Sequence, residues 1–160
     1  MGMKIGVLSD THLHKVTREF RKIYNEYLSD KDLILHAGDL VCPEVIDFLG
    51  RKNFHGVHGN MDPTEVKERL SRKKVIELGS YKIGLIHGWG TSDGLEDRIW
   101  PEFAGVDVII YGHSHSPANH MKEGVLLFNP GTASGFTFSG LHTIGILELD
   151  ETICGEIITI

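Results

Sequence analysis

The sequence predicts an α/β domain of two packed sheets flanked by helices. Three observations carry that prediction. Short runs rich in Val, Ile and Leu alternate with helical patterns through the first two-thirds of the chain. The last third holds strand-like segments with no helix between them. Each early run is also followed within a few positions by residues able to bind a metal. At 160 residues the chain has the length of one domain with enough apolar sequence to bury a core, so residues 1–160 are read as a single domain.

Residues 4–8, 33–36, 54–58, 82–86 and 106–111 read as buried strands. Between the first two, residues 16–28 place Val16, Phe20, Ile23, Tyr24, Tyr27 and Leu28 on one face at helical spacing. Pro43 opens a second helix that continues through residues 45–49. Asp62-Pro63-Thr64-Glu65 reads as a helix start, with Asp62 as N-cap, Pro63 at the first helical position and Glu65 completing a capping box; this helix is expected to run to Leu70. Arg72 to Lys74 reads as a solvated turn. A fourth helical stretch covers residues 95–103, with Pro101 inside it. Residues 124–128, 143–149 and 153–160 then read as strands separated by turns.

Composition excludes several function classes. A formal charge of -6 leaves no broad positive surface for gripping a nucleic-acid backbone, so stable nucleic-acid binding is not expected and any phosphate affinity must be local. No apolar run approaches the roughly 20 residues of a membrane span. The first residues run straight into a strand-like segment without a leader pattern, and the two cysteines, Cys42 and Cys154, match neither a metal-binding nor a disulfide pattern. A cytoplasmic protein with reduced thiols is expected.

The polar residues after the early runs carry the chemistry. Asp10 and His12 follow the first run, Asp39 the second and Asn60 the third; His87 closes the fourth, and His113 and His115 follow the fifth. In open α/β sheets the carboxyl ends of strands form the ligand-binding crevice, so these scattered residues can converge. Gly38, Gly59 and Gly112 each precede a proposed ligand, where Gly permits tight turns and close backbone approach. The alternate spacing of Asp10 with His12 and of His113 with His115 would send each pair to one side of an extended backbone. All seven donors are oxygen or nitrogen, which suits Mn, Fe, Co, Ni or Zn and excludes a structural zinc site of the cysteine type. Seven donors exceed the needs of one tetrahedral ion, and Asp39 has two oxygens with which to bridge a pair.

Asp10-x-His12, Gly38-Asp39, Gly59-Asn60, His87 and Gly112-His113-x-His115 resemble the ordered motif set of the calcineurin-like metallophosphoesterases. The resemblance spans residues 3 to about 150 and is greatest to small single-domain bacterial and archaeal phosphodiesterases, which also resemble a retromer subunit. It implies a four-layer αββα sandwich with two mixed sheets face to face. It further implies two divalent transition-metal ions, manganese first, with nickel, iron, cobalt or zinc as alternatives. One ion would be held by Asp10, His12, Asp39 and His115, the other by Asp39, Asn60, His87 and His113, with Asp39 as the bridge. Asp39, Asn60 and His113 form the implied catalytic set, and the segment Asn129-Pro130-Gly131-Thr132 would support the site.

The implied reaction is in-line attack of a metal-bridging hydroxide on a small phosphate ester, most readily a diester. Many superfamily members have histidine directly after the motif asparagine, as a proton donor to the leaving group; here that residue is Met61. A thioether donates no proton, so good leaving groups are expected, or recruitment of His14, His58 or metal-bound water. His14, His58 and Trp89 are the candidate substrate contacts, Trp89 as a stacking wall or, alternatively, a cover for the core. The competing function is a non-catalytic, retromer-subunit-like interaction scaffold, and a homo-oligomer is compatible with either.

Overall fold

The computed structural model describes residues 2–160. Ten strands form two five-stranded sheets. The first has the order β10(Ile153–Thr159), β9(Thr143–Leu149), β1(Met3–Leu8), β2(Leu33–His36), β3(Phe54–Gly56); the second runs β4(Lys73–Leu78), β5(Tyr81–Ile86), β6(Val108–Ile110), β8(Val125–Asn129), β7(Ala118–Lys122). Both sheets are mixed. β1, β2 and β3 are parallel, as are β5, β6 and β8, while β9, β10, β4 and β7 pair antiparallel at the flanks.

Alternation along the strands sorts side chains into layers. Ile5, Val7, Leu33 and Leu35 of the first sheet meet Ile83, Leu85, Val108, Ile110 and Phe128 of the second, forming the central core. On the outer face of the first sheet, Leu8, Ile34 and Ile144 pack against α1(Arg18–Ile23), α2(Pro43–Leu49) and α3(Thr64–Arg69) through Phe20, Val45, Phe48, Leu49 and Val66. On the outer face of the second, Ile86, Ile109 and Leu127 meet Leu95 and Ile99 of α4(Leu95–Ile99). The result is the expected four-layer αββα sandwich. No helix among the described residues is long and apolar enough to cross a membrane.

The six apolar residues expected on one face of residues 16–28 do share a core. The segment is not α-helical throughout, however: Thr17 caps α1 by accepting the Phe20 N–H, and Tyr24–Leu28 follows as a π-helical turn. Two strands escape the sequence reading. Lys73 and Lys74 begin β4 rather than a solvated turn, and β7 is an exposed edge strand. Both lie at sheet edges, where solvated Lys, Asn and His side chains blunt further pairing and erase the apolar signal. Helix α4 ends at Ile99, and Pro101 sits in a 3₁₀ turn, Trp100–Glu102.

The third helix begins one residue later than expected, at Thr64, and Asp62 does not cap it. Its carboxylate is buried and turned toward the neighbouring strand ends, accepting the N–H groups of Asp39 at 2.9 Å, Val41 at 2.6 Å and Gly59 at 2.7 Å. Glu65 therefore has no capping box to complete.

Candidate metal centre

The carboxyl ends of the parallel strands in both sheets open onto one site. Asp10 and His12 follow β1, Asp39 follows β2, Asn60 follows β3, His87 follows β5, and His113 and His115 follow β6. Extended alternation is not what brings the paired residues together. Asp10, His12, Asp39, His113 and His115 have φ of 53°, 47°, 58°, 70° and 59°, all in the left-handed region. L-residues avoid it, and clustering of such strained backbone marks functional sites. These turns aim polar side chains inward directly from a strand end.

The glycines serve close approach between ligand loops. A Cβ on Gly112 would overlap Ser9 Oγ and lie 2.6 Å from Asp10 Oδ2. One on Gly59 would overlap Asp39 Oδ1 and lie 2.8 Å from the His87 ring. The neighbours that require glycine are thus the carboxylates and the imidazole themselves.

Each carboxylate has one oxygen tied back to the protein and one aimed inward. Asp10 Oδ2 accepts the Ser9 hydroxyl at 2.5 Å and the His113 N–H at 3.0 Å. Asp39 Oδ1 accepts the Met61 N–H at 2.8 Å. Oδ2 of Asp39 is directed at the histidines. It lies 3.2 Å from His87 Nε2 and 3.6 Å from His12 Nε2. Asp10 Oδ1 lies 3.2 Å from His115 Nε2 and 3.7 Å from both His12 Nε2 and His87 Nε2. It is fully enclosed and receives no hydrogen bond.

Backbone carbonyls orient the imidazoles. A carbonyl can only accept, so His87 Nδ1, 2.8 Å from the Ala37 oxygen, carries a proton, as does His115 Nδ1, 2.5 Å from the Phe136 oxygen. His113 is held by the other nitrogen, Nε2, which donates to Gly90 at 2.6 Å. Such bonds fix the tautomer and ring orientation of metal-ligating histidines. In neutral His87 and His115, Nε2 then presents a lone pair. His87 Nε2 faces the Asn60 Oδ1 acceptor at 3.1 Å as well as Asp39 Oδ2, and His115 Nε2 faces His12 Nε2 at 3.3 Å. Acceptors converging at these distances in a buried site need positive charge between them, as extra protons or as cations.

The titration of the site has the same cause. Burial would raise the Asp10 carboxyl, but the neighbouring His115 and His12, the charge of His87 and the Ser9 hydroxyl overcome it and hold it well below the carboxylate range. Burial opposes protonation of His87 and is outweighed by Asp39 and Asp10, so this imidazole titrates above its ordinary value. The Asp10 carboxylate beside it raises His115. The carboxylates thus draw protons onto His87 and His115.

Two groups have the spacing to hold an ion: Asp10, His12 and His115, and Asp10, Asp39 and His87. They support a binuclear site, and Asp10 belongs to both. The expected division placed Asp39 alone in the shared position; the structure gives Asp10 Oδ1 an equally central place. His113 lies outside both groups, its ring 5.2 Å from that of His87, while Asn60 sits at the exposed rim. Of the candidate substrate contacts, His58 and Trp89 line a cleft beside Asn60, whereas His14 is exposed and makes no hydrogen bond among the described residues. The Met61 side chain is also in solvent, so its contribution is the backbone N–H on Asp39.

The supporting segment does what the resemblance implied. Asn129 Nδ2 donates to the Gly112 carbonyl and the Ser114 hydroxyl, Thr132 Oγ1 donates to the Asp10 carbonyl, and Ser134 Oγ donates to that of Thr11. Sequence reasoning set Asp62 aside as a helix cap and missed Ser9, Ser134 and the carbonyls of Ala37, Gly90 and Phe136. A carboxylate two residues after Asn60 was the available signal for Asp62; a backbone oxygen leaves none. His36 is a hydrogen-bonded core residue: it accepts the Gly38 N–H on Nδ1 and so donates from Nε2 to Thr11 Oγ1, and burial lowers it to about 3.

Residues 3–152 match the family described as the Calcineurin-like phosphoesterase superfamily domain. A probable metallophosphoesterase of Methanocaldococcus jannaschii is 40% identical over 134 residues, covering 81% of this chain and 68% of the relative. A phosphodiesterase of the same organism is 31% identical over 170 residues, covering 98% and 99%. Among solved structures, Vacuolar Protein Sorting 29 from Cryptosporidium parvum superposes with a TM-score of 0.76 at 22% identity, covering 99% of this chain and 98% of that one, a likeness of fold alone. The motif set and the fold support phosphoesterase activity, and the chain belongs to the calcineurin-like phosphoesterase superfamily, in its group of small single-domain archaeal and bacterial enzymes.

Proposed function

We propose that the chain is a two-metal phosphodiesterase acting on small phosphate esters. The observation that carries this reading is the convergence of two inward carboxylate oxygens, Asp10 Oδ1 and Asp39 Oδ2, on the Nε2 atoms of His115 and His87, whose Nδ1 atoms are held by backbone carbonyls. Nitrogen and oxygen donors suit Mn first, and Ni, Fe, Co or Zn as alternatives. Asp10, His12 and His115 would hold one ion; Asp39, His87 and Asn60 the other, with His113 completing the set. Such ions, when bound, polarise phosphoryl oxygens and acidify water.

The chain's own residues set the rest. Asp10 and Asp39 bring two negative charges against four from a divalent pair, so the centre stays cationic inside an acidic protein and attracts phosphate locally. Ser9 donates its proton to Asp10 and is thereby a positioning group rather than a nucleophile. Asn60, exposed beside His87, can meet a phosphoryl oxygen, and His113 is held by Gly90 so that Nδ1 is its available nitrogen. Preference for a diester rests on Met61, which leaves no proton donor at that position, and on the relative described as a phosphodiesterase. Both cysteines are free thiols, which suits the cytoplasm.

The test is metal-replete turnover of p-nitrophenyl phosphate and bis(p-nitrophenyl) phosphate. Faster diester hydrolysis, lost in Asp39→Ala and Asn60→Ala, is expected. Inactivity towards both esters after Mn or Ni supplementation would move the assignment to an interaction scaffold.

A further inference from the structure

A cleft of about 350 Å³ opens directly beside the Asn60 and His87 end of the metal centre. Its other walls include His58, Lys67, Arg72 and Trp89, and no carboxylate lines it, although the chain carries 22 acidic against 16 basic residues. Lys67, in the last turn of α3, pairs with no carboxylate among the described residues. The Arg72 guanidinium is fixed on Glu102 by bonds of 2.8 and 3.3 Å, and Lys73 shares that carboxylate at 2.9 Å, so this cluster retains one positive charge.

Trp89 supplies the second half of the cleft's character. Its indole is 39% exposed and lines the cleft. Arg72 Cζ lies 5.0 Å from its ring centroid. Indole and guanidinium are both planar groups on which nucleobases stack. A volume at the low end of the roughly 300–1,000 Å³ of small-ligand sites fits one nucleoside.

We propose that this cleft is a nucleotide subsite: a base lies on the Trp89–Arg72 surface, Lys67 meets a phosphate oxygen, and the scissile phosphate reaches the adjoining centre. The inference deepens the phosphodiesterase reading and rests on it for the fate of the ligand. It narrows the substrate class to esters with a nucleoside phosphate on the Asn60 side.

Trp89 is itself the reporter, since the chain has only one other tryptophan, Trp100. In Mn-loaded Trp100→Phe protein, AMP should quench Trp89 emission with a lower Kd than adenosine, while inorganic phosphate at the same concentrations leaves the emission unchanged. Lys67→Ala should weaken AMP about threefold without altering adenosine, as for an exposed charge contact. Trp89→Leu, followed by calorimetry, should weaken both about tenfold, the scale of base stacking. Mn content measured on the same samples checks that each variant is folded. AMP binding no tighter than inorganic phosphate, or unmoved by both substitutions, overturns the proposal. Nucleotide binding as described without hydrolysis of any ester would instead sink the enzyme reading and leave the binding site standing. Diester turnover with no nucleotide effect would sink the subsite alone.

Discussion

Asp62 holds the two loops that carry Asp39 and Asn60, and its removal should be felt in both stability and metal binding. In Asp62→Ala, three backbone N–H groups lose a buried charged acceptor at 2.6–2.9 Å. Each orphaned donor costs about 1–3 kcal/mol. Because the three share one acceptor and water can enter the vacated space, the whole is expected near 3 kcal/mol rather than the sum. For a chain of this size that lowers Tm by about 6–12 °C. Loss of an ordinary N-cap would cost about 1 kcal/mol and would leave metal binding alone. Urea unfolding with an unchanged m value measures the first effect; calorimetric titration with Mn measures the second, which should show weakened affinity. A Tm decrease below about 4 °C with unaltered Mn affinity would return Asp62 to the role of a helix cap.

Two further substitutions probe the strand ends. Gly112→Ala places a methyl group against Ser9 and Asp10 and should lower Mn affinity at least tenfold while secondary structure, read by circular dichroism, stays intact; binding equal to the parent would show that the loops have slack. His36 is lowered from 6.5 to about 3 by burial, so the unfolded chain takes up its proton first as pH falls. Its contribution is present above about pH 6.5 and declines toward pH 3, by about 1 kcal/mol per pH unit. The stability difference between parent and His36→Gln should therefore shrink across that window, and parallel pH curves would contradict the burial argument.

The strands β1, β2, β5 and β6 were legible because their ligand-proximal ends are buried on both faces, so that they read as apolar runs closely followed by Asp or His. The edge strands β4 and β7 were not, because solvation of Lys73, Asn119 and His120 removes the apolar pattern. Asp62 was misread for a physical reason: a carboxylate before Pro-Thr-Glu satisfies every local requirement of a helix start, and only the tertiary approach of Asp39 and Gly59 offers it better donors. The left-handed backbone at Asp10, His12, Asp39, His113 and His115 was equally hidden, since none of these residues is glycine. Motif spacing found the ligands, but by an argument from extended chain that the turns do not obey.

The most direct test of the account is a count of Mn ions bound per chain, made by elemental analysis at rising metal concentration while bis(p-nitrophenyl) phosphate turnover is followed on the same samples. Two ions per chain are expected, with activity appearing as the second is taken up and with Asp39→Ala retaining at most one ion and no turnover. Activity that saturates at one ion, or two ions bound without turnover, would contradict it.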